Sequence, residues 1–214
     1  MSLSNNIHLT GTISEVGNHN SISLTYSILI GSYSVTSATL PNTSFSQILP
    51  LSSSVNGTSS INILSPRTNS TQTWTLSTND SSGSTASSTA SLSLVYPYFY
   101  GVSSTATSSA SGVNTVIGNI TKLITTQRNL VTPLSGLNVC VYFAYPSFYP
   151  NLSAILNQSG SNIISNFTQY TINIGSPTGY WEYTSYTVYI YTGTGSNPTT
   201  TNVSPFTVYY QFNY

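Results

Sequence analysis

Apolar and polar residues alternate one by one along the N-terminal part of the chain. In NNIHLTGTISEV, Ile7, Leu9, Gly11 and Ile13 fall on one side, and His8, Thr10 and Thr12 on the other. SISLTYSILIG repeats the pattern with Ile22, Leu24, Tyr26, Ile28 and Ile30. A period of two over such lengths predicts half-buried strands. SYSVTSATL, SINIL and TQTWTLST are shorter strand candidates, and Gly17-Asn18, Pro41-Asn42 and Asn56-Gly57 are the expected turns. The best-marked hairpin is TQTWTLSTNDSSGSTASSTASLSLVY. Trp74 and Leu76 share a face going out, Asn79 to Gly83 hold the turn, and Leu92, Leu94 and Tyr96 share a face coming back. The Ser/Thr/Gly-rich tract from Ser81 to Thr89 reads as the hairpin tip and a polar edge strand rather than a linker. Short strands with a turn about every ten residues predict an immunoglobulin-like sandwich without its disulfide.

The period changes once. In VNTVIGNITKLITTQ, Val113, Val116, Ile117, Ile120, Leu123 and Ile124 recur at helical spacing, which predicts one helix near 114–126 with Asn114 as its N-cap. A helical turn is also expected within NLSAILNQSG. Strands resume at LNVCVYFAYP, where Val139, Val141, Phe143 and Tyr145 face one way. FTQYTINIG, EYTSYTVYIYTG and PFTVYYQFNY follow. The expected fold is therefore mainly β. Two β-sandwich domains are predicted, an immunoglobulin-like one over 1–96 and one with a short helix over 97–214, as the length allows.

The boundary carries an aromatic phrase, YPYFYG, which nearly recurs as YPSFYP at Tyr145 to Pro150. Both read as strand exits. Tyr96 ends the alternation of Leu92 and Leu94, and Pro97 stops ladder pairing. Tyr98, Phe99 and Tyr100 stiffen the domain junction, and Gly101 permits the turn into the second domain.

Composition narrows the function. Arg67, Lys122, Arg128, Glu15, Asp80 and Glu182 are the whole charge inventory, 3% of the chain, while Ser and Thr supply roughly a third. Disordered chains are poor in aromatics; this one has 17 Tyr, 7 Phe and 2 Trp, so it is expected to fold. No basic patch suits nucleic acid, no polybasic segment suits an anionic membrane, and no apolar run is long enough to span one. MSLSNNIHLTGTISEV has neither a basic n-region nor an apolar h-region, so no secretory signal is expected. Cys140 is the only cysteine and is expected to be buried and inert.

Candidate chemistry is sparse. His8 and His19 lack the cysteines or carboxylates that would complete a metal site, so no metal and no cofactor are expected. They are the only imidazole bases for a nucleophile, and no G-x-S-x-G elbow is present. The three carboxylates fall in different predicted elements, so paired glycosidase chemistry is not expected either. Asp80 in NDSSG reads as a turn residue. Sequons begin at Asn42, Asn56, Asn69, Asn79, Asn119, Asn151, Asn157, Asn166 and Asn202. Chance alone gives roughly seven in such a composition, so they do not argue for glycosylation. Tyrosine is the one abundant resource, suited to cores, ladders, interfaces and sugar faces.

The second half resembles a β-rich module of tailed-phage virion proteins. The resemblance rests on VYPYFYGVSS, ITKLI, VYFAYPSFYPNLSAILNQSG, SNFTQYTINI, YTVYIY and FTVYYQFNY, and covers roughly Asp80 to Tyr214. The chain departs from the pattern at Pro150, Asn157 and Ser159. The resemblance implies a non-enzymatic bacteriophage structural protein: a tail fibre, tail or neck component, or a capsid decoration. Its partners would be other virion proteins, further copies of itself and a host glycan. It would assemble in the host cytoplasm and reside in the virion. Two other readings fit the composition. One is an extracellular filament or pilus subunit of an acidophilic archaeon, since few groups titrate in acid. The other is a carbohydrate-binding module.

Overall fold

The computed structural model describes residues 2–17, 22–61 and 70–212, without the side chains of 202 and 204–207. His19, Arg67, Asn69, the end of the SINIL strand, the Asn18 half of the first expected turn and the final Asn213-Tyr214 lie outside the described residues. The fold is mainly β and of β-sandwich type. It divides into two compact units, Met1–Val95 and Tyr96–Tyr214.

The first unit holds β1 (Ser4–Leu9), β2 (Ile13–Glu15), β3 (Ile22–Leu29), β4 (Val35–Thr39), β5 (Val55–Ile61), β6 (Ser70–Asp80) and β7 (Thr85–Val95). They form a three-stranded sheet β1-β3-β5 and a four-stranded sheet β2-β7-β6-β4. β2 runs parallel to β7, and the other pairs are antiparallel. Two sheets of three and four strands, with the N-terminal strands β1 and β2 divided between them, make a unit of β-sandwich type. Alternation decides the inside. Leu24, Tyr26 and Ile28 from β3 are buried, as are Trp74 and Leu76 from β6 and Leu92 and Leu94 from β7. A polar tie crosses between the sheets: Asn5 Nδ2 donates to Thr78 Oγ1 and to the Ala86 carbonyl, both at 2.9 Å.

Asn56-Gly57 is not a turn. Both residues lie inside β5, and Gly57 pairs with Tyr26. A Cβ at Gly57 would come within 2.5 Å of Tyr26 Cζ, so the missing side chain makes room for the ring. The ring also meets Phe45 edge-on at 4.9 Å.

The second unit holds β8 (Tyr98–Ser103), α1 (Ala110–Ile117), β9 (Thr121–Leu123), β10 (Leu130–Pro146), β11 (Leu152–Leu156), a 3₁₀ turn (Ile164–Asn166), β12 (Phe167–Ile174), β13 (Thr184–Tyr191) and β14 (Thr201–Phe212). β10 is the organising strand. Its first half pairs with β14, whose other edge carries β11. Its second half runs between β13 and β8, with β12 and β9 beyond them. Between the halves the register slips twice, across Leu134/Gly136 and Gly136/Val139, and Asn138 has φ 52°. Bulges of this kind bend a strand and let it turn from one sheet into another. The burial pattern changes at the same place. Leu130, Thr132 and Leu134 alternate with exposed neighbours, whereas every residue from Cys140 to Pro146 is buried.

The helix differs from expectation. It runs from Ala110 to Ile117, capped by Ser109, whose Oγ accepts from Gly112 N, and it ends at Gly118. Thr121–Leu123 is strand β9. Past Gly118, Thr121, Lys122 and Leu123 pair with Tyr100, Phe99 and Tyr98 of β8, and tertiary pairing overrides so short a helical pattern. NLSAILNQSG likewise contains strand β11 and no helical turn, because Ile155 and Leu156 pair with Tyr210 and Tyr209. We predict that Gly57→Ala lowers stability by about 1–3 kcal/mol through overpacking against Tyr26. An unchanged urea midpoint would show that the ring moves aside freely.

Candidate functional site

Alternation along a short strand sends the residues of YPYFYG to opposite sides. Pro97 separates β7 from β8. Beyond it, Tyr98, Phe99, Tyr100 and Gly101 are not a loop: they lie in β8 and pair with β9, β10 or both. Gly101 sits opposite Tyr142 and is not a turn residue. Tyr98 enters the core between the sheets of the second unit, where its ring lies 5.9 Å from Phe212 and 5.5 Å from Tyr149. Phe99 turns the other way, to Tyr186 at 5.8 Å, and the Tyr186 hydroxyl donates to the Pro97 carbonyl at 3.0 Å. Tyr96 is buried against Trp181, with centroids 5.3 Å apart.

YPSFYP meets this phrase directly. Phe148 packs on Tyr96 at 5.8 Å, and Tyr149 packs on Tyr98. Tyr149 N donates to the Pro146 carbonyl, so the chain turns immediately after β10. The Arg128 guanidinium lies over the Tyr149 ring, 4.0 Å from its centroid, a cation–π contact. The two similar phrases are thus two sides of one aromatic cluster. Replacing Tyr98, Phe99 and Tyr100 together would strip both faces of this sheet.

The cluster continues through the core. Phe143 stacks on Tyr210 at 3.8 Å, and Tyr145 meets Phe212 edge-on at 4.9 Å. Burial pushes the phenols of Tyr142, Tyr145, Tyr189 and Tyr210 up, and that of Tyr98 up to about 12. For Tyr98, burial and then Tyr149 raise it, while Arg128 pulls the other way without prevailing. These phenols are held neutral, which suits packing and hydrogen bonding. The Tyr142 hydroxyl takes the Thr107 N–H at 2.9 Å and donates to the Thr105 carbonyl at 2.8 Å, pinning the segment that leads into α1.

Residues able to do other chemistry are dispersed. His8 is exposed on β1, Glu15 is buried on β2, and Glu182 is exposed ahead of β13. Cys140 is buried, its thiol pushed up by burial, and it donates to the Tyr191 carbonyl at 3.6 Å. Among the described residues no three His, Cys, Asp or Glu side chains gather into a metal-binding group. No described helix is long and apolar enough to cross a membrane. A depression of about 780 Å³ is walled by Asn166, Tyr191 and the loop from Thr192 to Thr199, and carries no charged or imidazole group.

Asp80 is a turn residue, and its turn recurs. Its Oδ1 accepts from Ser82 N, Ser82 Oγ and Ser84 N, and Gly83 follows at φ 87°. The Ser82 hydroxyl, ahead of the backbone donors, holds the carboxyl below its usual range against the opposing effect of burial. Asn157 repeats the arrangement with Ser159, Gly160 and Ser161. Ser176 repeats part of it, bonded to Thr178 and Tyr180 N, with Gly179 at φ 73°. The shared signal is a short polar acceptor, any residue, a hydroxyl and then glycine: DSSG, NQSG and SPTG. Sequence reasoning missed it, although it is legible there. Asn114, the expected N-cap, stands inside the helix. It is no cap: its Nδ2 donates to the Asn173 carbonyl at 3.1 Å and its Oδ1 accepts from Gly175 N at 2.9 Å, clamping α1 to the end of β12.

Compared with protein-family models, with curated proteins and with solved structures, the chain finds no match.

Two measurements check this site. An unfolded phenol titrates near 10, so the raised value of Tyr98 is a stability contribution that is whole below pH about 10. It is lost as pH rises through about 12. The melting temperature should stay level to pH about 10 and then fall. Tyr98→Phe should soften that fall; an identical alkaline profile would refute the assignment. Tyr142→Phe leaves the Thr107 N–H without its acceptor and should cost about 1–3 kcal/mol in chemical denaturation.

Proposed function

We propose that this chain is a non-enzymatic structural component of a virion, of the tail-fibre, tail, neck or capsid-decoration kind. Its work would be assembly with other virion proteins and with copies of itself. The observation that carries this reading is where the tyrosines go. The one abundant reactive side chain is used largely in packing, with phenols held neutral, while an almost chargeless Ser/Thr/Asn exterior is left outside. The likeness of YPYFYG, VYFAYPSFYP and the closing strands to a phage virion module points the same way. Tyr183 and Phe148, 74% and 57% exposed, supply aromatic surface for a host glycan.

A second reading, a cell-surface filament subunit living in acid, is favoured by the scarcity of groups that titrate there. The carboxyl of Asp80 is held below its usual range, so it keeps its charge further into acid. Mass spectrometry of purified particles and of washed cell surfaces separates the two. The virion reading expects the chain among the particle proteins. Its absence from particles, or hydrolysis of a polysaccharide by the purified protein, would overturn that reading.

A further inference from the structure

Sheet edges are where a β protein meets other strands, and most edges here are blunted. β2 and β9 span only three residues each. β4 is covered by Leu51, which exchanges both main-chain bonds with Val35. β5 is covered by Ser44. β11 is covered by Asn162 and Ile163. The free side of the first half of β10 carries Pro133 and two register slips. β1 is six residues long and carries His8.

β12 is covered only at its two ends, by Ile164 at Phe167 and by Asn114 at Asn173 and Gly175, and its middle is open. FTQYTINI pairs with β13 in unbroken register over eight residues and contains no charge, proline or glycine. The Asn173 carbonyl and Gly175 N–H turn away from β13 to reach Asn114, so the odd-numbered residues face outward. The N–H of Phe167 is taken by the Ile164 carbonyl. Among the described residues, nothing bonds the carbonyl of Phe167, either main-chain group of Gln169 and Thr171, or the N–H of Asn173 on the outer edge. Gln169, Thr171 and Asn173 are exposed.

We propose that this edge binds the same edge of a second copy, antiparallel, about a two-fold axis at Tyr170. In that register Gln169 faces the partner's Thr171, and each gives an N–H and takes one through its carbonyl. Those four bonds make the whole ladder: beyond them the Asn173 carbonyl and the Phe167 N–H, already taken by Asn114 and Ile164, lie opposite each other and end the pairing at both sides of the axis. A slip to Gln169 against Gln169 sets the occupied Phe167 N–H into the ladder. A slip to Thr171 against Thr171 sets the occupied Asn173 carbonyl there. The groups already consumed by Asn114 and Ile164 therefore leave a row that is complementary to itself, which singles out a second copy as occupant. With no charge on the strand, nothing repels that copy.

This names the contact through which the proposed assembly begins, and rests on that reading. The two fail separately: absence from particles removes the virion, and a monomer in solution removes the edge pairing. The test is sedimentation equilibrium of the purified protein across a concentration series. The wild type should form a dimer. Thr171→Pro removes an outward N–H without touching the β13 ladder and should weaken dimerisation about tenfold or more. Gln169→Lys with Thr171→Lys should abolish it, whereas Gln169→Lys with Thr171→Glu should restore it, because unlike charges then face each other across the axis. Melting temperatures close to wild type confirm that each variant is folded. A monomeric wild type, a dimer indifferent to Thr171→Pro, or no rescue by the opposite-charge pair would overturn the proposal. So would a wild type that stays monomeric and captures a strand of another protein.

Discussion

Phe143 lies flat on Tyr210 with ring centroids 3.8 Å apart, and the second unit closes around that contact. Phe143 comes from the half of β10 that pairs with β13 and β8, and Tyr210 from the strand paired with the other half. One strand thus serves two sheets, and an aromatic stack joins its second half to the strand that pairs with its first. Tyr98, Tyr145, Tyr149 and Phe212 extend the stack, each ring adding about 0.5–1.5 kcal/mol per contact beyond its buried area. Tyrosine suits the role because its hydroxyl can reach a backbone group at the edge of the core. Tyr142, Tyr145 and Tyr186 each do so, to Thr107, Leu152 and Pro97.

The near absence of charge shapes everything outside that stack. Loops here are fixed by hydroxyls and amides and, at Asp80, by one carboxylate. The repeated DSSG, NQSG and SPTG turns bring one acceptor onto donors of the same loop, with glycine at the position that needs positive φ. Asn5 ties sheet to sheet in the first unit, and Asn114 ties helix to strand in the second. Such bonds do not depend on pH over most of its range and are little screened by salt. A surface without charges also lacks the ordinary means of keeping edge strands apart, so proline, bulges and covering loops do that work at most edges.

The candidate surfaces were only partly legible in the primary structure. The resemblance of YPYFYG to YPSFYP was visible, but its meaning was not. Read locally, Pro97 and Pro146 stop two strands. Only in the folded unit do Tyr96 and Tyr98 meet Phe148 and Tyr149. Asn114 looked like a cap because it precedes an apolar run; Ser109 takes that place since the helix starts earlier. The open edge of β12 could not be read at all, because which main-chain groups remain free depends on Asn114 and Ile164, far or near in sequence but adjacent in space.

The primary structure made the mainly β character and the place of most strands legible. A period of two is a local property, and burial of one face enforces it residue by residue. It also determined the turn at Asp80 and the buried state of Cys140, since short polar acceptors before glycine and apolar strand contexts act locally. The tertiary structure alone decided which strands pair, that β10 bends between two sheets, that Gly57 sits under a tyrosine ring, and that the helical spacing after Gly118 becomes strand. The reason is the same in each case. Pairing partners come from distant parts of the chain, and a continuously apolar or ambiguous segment takes its conformation from the neighbours that bury it.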